Sequence, residues 1–251
     1  MTYEHFFYIF YSFIQGITEF IPISSTGHLN IIESIYHDAK KRDFLYETSA
    51  HFASLMALLF YLFRKNHFEY DNIKNNFFPI TIATIPALIL GFFVLILEMD
   101  VISLKLIGYT SIIGGLILYI ADSEKIKKIQ ISDKKIIFLI AGMFQCLAFL
   151  PGFSRSGSCI IAFRLLGKTR KTSSIYSLYL GVPLITLSFL SNIKNFNVIS
   201  FDFNLLIVFF ITFITAYITI ILFIKFINTM SFTPFVIYRI ILGIVILNFF
   251  S

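Results

Sequence analysis

Charge is scarce. Asp, Glu, Lys and Arg make up 14% of the 251 residues, against about 25% in soluble domains, and 57% of the chain is hydrophobic. That balance excludes a soluble globular domain. Cysteine is nearly absent: Cys146 and Cys159 lack metal-ligand spacing and lie in apolar surroundings, which argues against a disulfide framework and a zinc site. No Lys or Arg precedes Lys40, and the first apolar stretch carries Gln15, Thr18 and Glu19 without an A-x-A-like exit. It therefore reads as a retained, functional segment rather than a signal peptide. The net charge of +6 is what positive-inside loops of a bilayer protein produce, so no nucleic-acid partner is expected.

Long apolar runs are abundant, and the mean hydropathy is +0.84. Runs long enough to span appear near 48–63, 77–97, 103–121, 174–191, 203–227 and 232–250, which predicts six transmembrane helices. Two further apolar regions, 6–36 and 136–167, are each cut midway by proline, glycine and hydroxyl residues. The cuts are Pro22-Ile23-Ser24-Ser25-Thr26-Gly27-His28 and Pro151-Gly152-Phe153-Ser154-Arg155-Ser156-Gly157-Ser158. Irregular backbone at membrane depth is tolerated only where protein or a polar cavity satisfies it, so both regions read as re-entrant, broken helical hairpins. At an offset of 130 residues Gln15 falls on Gln145, Ser24 on Ser154, Thr26 on Ser156 and Gly27 on Gly157. Paired interruptions of this kind point to an inverted repeat with its site at the interface. The expected fold is thus an all-α polytopic membrane protein. It forms one domain over 1–251, with halves of approximately 1–121 and 136–251.

Basic residues orient this arrangement. One set of loops holds Lys40, Lys41, Arg42, Lys105 and Lys194, five in all, and the opposite set holds thirteen, from Arg64 to Lys225. The thirteen should face the cytoplasm. Both termini then lie outside, and the first hairpin enters from the outer face.

Ionisable groups inside the apolar belts mark sites by default, and they are few: Glu19, His28, His51, Arg155 and Arg239. Gln15 and Glu19 are four apart and share a helical face. Ser24, Ser25 and Thr26 are N-cap candidates for a segment whose free N–H groups favour an anion. Arg155 adds a guanidinium that can grip phosphate bidentately. Together these describe a phosphate or diphosphate site. His51 and Arg239 fit either pairing with a backbone carbonyl or snorkelling to an interface, and Tyr238 reads as lipid-facing or packing. Paired broken helices are also the architecture of secondary transporters, so an anion or lipid-phosphate carrier is the second reading.

QGITEFIPISSTGHL at 15–29 and PGFSRSGS at 151–158 resemble the signature motifs of the bacterial undecaprenyl-diphosphate phosphatase family of the bacitracin-resistance type. His51–Leu55, Ile85–Ala87, Gly142–Ala148 and Ser231–Arg239 are similar to further family blocks. The resemblance implies an inner-membrane enzyme that hydrolyses the diphosphate of the polyprenyl carrier lipid, yielding inorganic phosphate and the monophosphate carrier that peptidoglycan synthesis reuses. It implies a divalent cation, Mg2+ or Ca2+, and no obligate protein partner; on the site's chemistry Glu19, helped by Gln15 as a neutral oxygen ligand, is expected to hold that cation. Glu19, Ser25, His28 and Arg155 are the implied catalytic residues, with Ser24, Thr26, Gly27, Ser154, Ser156 and Gly157 around the phosphates. The attacking group is either Ser25 activated by His28 or a water activated by His28 or Glu19. The periplasmic leaflet is the expected side of entry. Cys159 departs from the family's usual Thr, replacing a strong hydroxyl donor with a weak thiol.

Overall fold

The computed structural model describes residues 3–35, 44–64, 70–96, 103–125, 128–193 and 203–250. Among them there is no strand. Ten α-helices follow in order: α1 (Tyr3–Thr18), α2 (Ser25–Ile35), α3 (Phe44–Arg64), α4 (Tyr70–Ile96), α5 (Leu104–Asp122), α6 (Lys134–Gln145), α7 (Arg155–Leu165), α8 (Arg170–Ile193), α9 (Phe203–Ile227) and α10 (Thr233–Phe249). A short 3-10 turn, Cys146–Phe149, continues α6. The all-helical membrane fold read from the sequence is present, and Lys40, Lys41, Arg42, Lys65, Lys127 and Lys194 of the topology count lie outside the described residues.

Segments of four helices, Asn76–Val94, Leu104–Asp122, Arg170–Leu190 and Phe203–Ile227, are both long and apolar enough to cross a bilayer. The other two expected spans are helical but differ. α10 has 17 residues, near the lower limit for a crossing. α3 has 21 but carries Glu47, Thr48, Ser49, His51 and Ser54, and its His51 lines the site. The outer surface is apolar, with Phe77, Phe92 and Phe93 on α4, Phe210 and Leu222 on α9, and Ile241 on α10 all exposed, as lipid contact requires.

Both hairpins are broken where the sequence places the cuts. Pro22 has no N–H to continue α1, and the last helical bond runs from the Glu19 N–H to the Gln15 carbonyl. α2 and α7 each have 11 residues and begin 130 residues apart. Each follows a serine with positive φ, +72° at Ser24 and +76° at Ser154, a conformation that L-residues adopt only when their surroundings hold them there.

The packing carries the same correspondence. Matching α1–α5 to α6–α10 in order sends the α1–α9 contact onto α6–α4, while α5–α10 and α3–α8 pair with their own counterparts. Small residues allow these crossings. A Cβ on Gly16 would strike Thr215 and Ala216 of α9, and one on Gly142 would strike the Ala83 backbone of α4. Between the halves lies a core of Phe20, Leu58, Leu62, Leu118, Ile160, Leu178 and Phe232.

Candidate active site

The two breaks meet at Glu19. Its carboxylate accepts from Arg155 Nη2 at 2.9 Å, from Ser25 Oγ at 3.0 Å and from Gln15 Nε2 at 3.1 Å. One acidic side chain therefore bridges the first residue of α2 to the first residue of α7. With the two side chains about nine-tenths buried, this is an ion pair whose desolvation is offset by further hydrogen bonds. Gly181 of α8 leaves room for the guanidinium, since a Cβ there would collide with Arg155 Nη1.

A cavity of about 650 Å³ opens here, lined by Glu19, Ser24, Ser25, Thr26, His51, Gly152, Ser154 and Arg155. Its other walls are largely apolar: Leu88, Gly91 and Phe92 of α4, Phe149 of the 3-10 turn, and Leu184, Leu187 and Leu190 of α8, with Ser188 among them. Leu88, Phe92 and Leu190 are also exposed on the outer surface, so the cavity borders the hydrocarbon between α4 and α8. Both helix N-termini that begin at the breaks face it, presenting N–H groups suited to an anion.

Of the residues read from the sequence, Glu19, Ser24, Ser25, Thr26, Ser154 and Arg155 line the cavity. Gln15, Gly27, His28, Ser156 and Gly157 stand behind it as supports. The Gly27 and Gly157 N–H groups are capped by Ser24 and Ser154 Oγ at 3.4 and 3.2 Å. Ser156 Oγ donates to the Ile21 carbonyl at 2.9 Å, tying one break to the other. The sequence leaves His28 as one candidate activator of Ser25; in the structure the Ser25 hydroxyl donates to Glu19. The His28 ring is occupied elsewhere, Nδ1 with the Ser24 carbonyl at 2.7 Å and Nε2 with the Tyr238 hydroxyl at 2.6 Å. Helical geometry, which turns a side chain back toward residue i−4, accounts for this. Cys159 faces Gln145 Oε1 at 3.2 Å, not the cavity, so its exchange for Thr removes no cavity-lining hydroxyl.

Two residues carry more than their sequence context indicates. Arg239 is fully buried, and its guanidinium donates to the Pro22 carbonyl at 3.2 Å and the Gly152 carbonyl at 3.1 Å, positions 130 residues apart. It also reaches the carbonyls of Phe153 and of Thr110 and Ser111 on α5, so one cation holds both breaks. His51 Nδ1 lies 3.3 Å from Gln15 Nε2, and its Nε2 lies 3.9 Å from Glu47. An intramembrane arginine and histidine were the available signal for both; their partners, fixed by tertiary packing, were not.

The candidate cation site contains a single cavity-facing carboxylate, and among the described residues no three His, Cys, Asp or Glu side chains cluster as metal ligands. Gln15 Oε1, buried beside Glu19, has no hydrogen-bond partner. Glu19 offers a hard cation one carboxylate, with the remaining ligands coming from substrate phosphates and water, while Gln15, behind the cavity with Nε2 toward Glu19, would bring its neutral oxygen to the same ion with its amide turned round.

The architecture is that of a polytopic membrane protein with an anion-suited cavity built from two interrupted helices. Residues 8–245 match the family described as bacitracin resistance protein BacA, and the chain belongs to that family. It is 38% identical over 244 residues to the undecaprenyl-diphosphatase of Pelagibacter ubique, covering 95% of this chain and 94% of that protein. Undecaprenyl-diphosphatases of Sulfurihydrogenibium sp. and Saccharophagus degradans are 36% and 34% identical, over 92% and 94% of this chain and 93% and 94% of theirs.

Proposed function

We propose that the protein hydrolyses undecaprenyl diphosphate to undecaprenyl phosphate and inorganic phosphate within the membrane. The observation that carries this reading is the Ser25–Glu19–Arg155 constellation at the polar end of a cavity whose other end borders lipid. A nucleophile, a base and a cation thus surround one point, while the apolar walls suit a prenyl tail. A carrier needs the anion site but not a hydroxyl poised on a carboxylate, so this pairing favours hydrolysis over transport.

In this mechanism Ser25 Oγ attacks the terminal phosphorus as Glu19 takes its proton, and the P–O bond to the prenyl phosphate breaks with its electron pair. Arg155 and the N–H groups of α2 and α7 stabilise the charge on the transferring phosphoryl group. Water then attacks the phosphoserine, its protons leave on the inorganic phosphate, the Ser25 Oγ–P bond breaks and Ser25 recovers its proton from Glu19. Glu19 and Gln15 would hold Mg2+ or Ca2+, which when bound supplies further neutralisation of phosphate charge. We place the active site toward the outer face, with both termini outside. Arg164, Arg170 and Lys128, all in the larger basic set, gather near Asp122 at the far end of α7 from Arg155, which supports that orientation.

The test is phosphate release from undecaprenyl diphosphate by purified protein with and without Mg2+ or Ca2+, beside Glu19→Gln, Arg155→Ala and Ser25→Ala. Each variant is expected to lose about a thousandfold or more in turnover, with acid-stable phosphoserine trapped only where Ser25 is intact. Well-folded wild type that releases nothing would end the hydrolase reading.

A further inference from the structure

We infer that His28 is a positioning residue rather than a proton-transfer residue: with Tyr238 it holds the Ser24 turn so that Ser25 meets Glu19. The inference rests on the hydrolase reading only for its link to turnover. A carbonyl oxygen can only accept, so the proton on the His28 ring sits on Nδ1 and is given to Ser24. In the neutral ring Nε2 then accepts from the Tyr238 hydroxyl, and the two rings stack, 5.5 Å apart and within 7° of parallel. No ring nitrogen is left for a substrate, and His28 does not line the cavity.

The molecule contains its own control. The counterpart of His28, 130 residues on, is Ser158, and Ser158 Oγ donates to the Ser154 carbonyl at 2.8 Å. Both strained serines therefore have their carbonyl held by the side chain four residues later, once by an imidazole and once by a hydroxyl that has no use as a base. An amide performs the same reach within α2 itself: Asn30 Nδ2 donates to the Thr26 carbonyl at 2.7 Å. What position 28 requires is a donor. Tyr238 adds a link from this donor to α10, the helix that carries Arg239.

The test uses purified full-length protein carrying His28→Ala, His28→Ser, His28→Asn or Tyr238→Phe. Hydrogen–deuterium exchange is followed in peptides covering residues 22–30, and phosphate release is measured across pH. His28→Ala is expected to speed exchange there about tenfold and lower kcat roughly tenfold to a hundredfold. His28→Ser and His28→Asn recover most of both, Tyr238→Phe falls between, and every variant keeps the wild-type shape of the pH profile. Wild-type exchange in His28→Ala would overturn the inference. So would Ser and Asn variants that fold, remain as inactive as Ala and lose a pH limb in the histidine range. If His28→Ala does not fold, the Ser and Asn variants decide alone. Exchange needs no substrate, so failure of the hydrolase reading and failure of this inference are separate results.

Discussion

At Ser24 and at Ser154 the chain makes the same turn twice: positive φ, a side-chain cap on the glycine three residues on, and a donor four residues on to the serine carbonyl. The two breaks then diverge in chemistry. Where the first has Glu19 the second has Phe149, and where the first has Ser25 the second has Arg155. A duplicated scaffold with symmetric side chains would hold two weak sites or two repelling charges. Dividing the roles leaves one carboxylate, one guanidinium and one hydroxyl around one point, with the repeat's symmetry spent on backbone support.

The division can be broken most severely by restoring the missing carboxylate. Phe149→Glu places a second negative charge in the cavity wall, and repulsion of the diphosphate is expected to raise KM by roughly a hundredfold, read from initial rates of phosphate release. A smaller effect comes from the far end of α7. Asp122 accepts from Arg164 Nε at 3.0 Å, from Arg170 Nε at 2.8 Å and from the Phe232 N–H at 3.2 Å, joining α5, α7, α8 and the start of α10. Asp122→Asn should lower stability by about 2–3 kcal/mol in thermal unfolding. Hydrogen exchange should rise more in 150–158 than in 19–28, because only the second break is tied directly to this knot.

The smallest effect is at Glu124, three-quarters exposed and bonded to Arg164 at 2.7 Å. The hydrogen bond from Arg164 and its charge hold the Glu124 carboxyl below its ordinary value. A depressed carboxylate supports the fold above its unfolded-state pKa, and that support is lost as pH falls through the lowered value. Glu124→Gln should lower the unfolding midpoint only slightly at neutral pH, and the difference from wild type should vanish in acid.

Much of the fold was legible because lipid enforces simple rules: apolar runs become helices, and interruptions need a polar reason. Glu19, Ser25 and Arg155 stood out for that reason, and the offset of 130 was visible in Ser24 and Ser154. The partners of Arg239 and Tyr238 were not legible, since these groups reach across 217 and 210 residues and the sequence holds no record of which helices touch. His28 was one candidate activator of Ser25 by nearness in sequence, whereas its ring turns back along the helix to Ser24. His51 showed its polarity but not its place beside Gln15. α3 carries Glu47, His51 and Ser54 among its apolar residues, and His51 serves the cavity.

The cavity's border on the hydrocarbon, at Leu88, Phe92 and Leu190, changes what concentration means for this protein. A ligand reaching the site between α4 and α8 is encountered by diffusion in two dimensions, so the governing variable is its mole fraction in the membrane or micelle. Added inert detergent or lipid at fixed total substrate should slow the reaction by surface dilution alone. A cell that thickens its pool of other lipids would turn the enzyme down without altering a single residue.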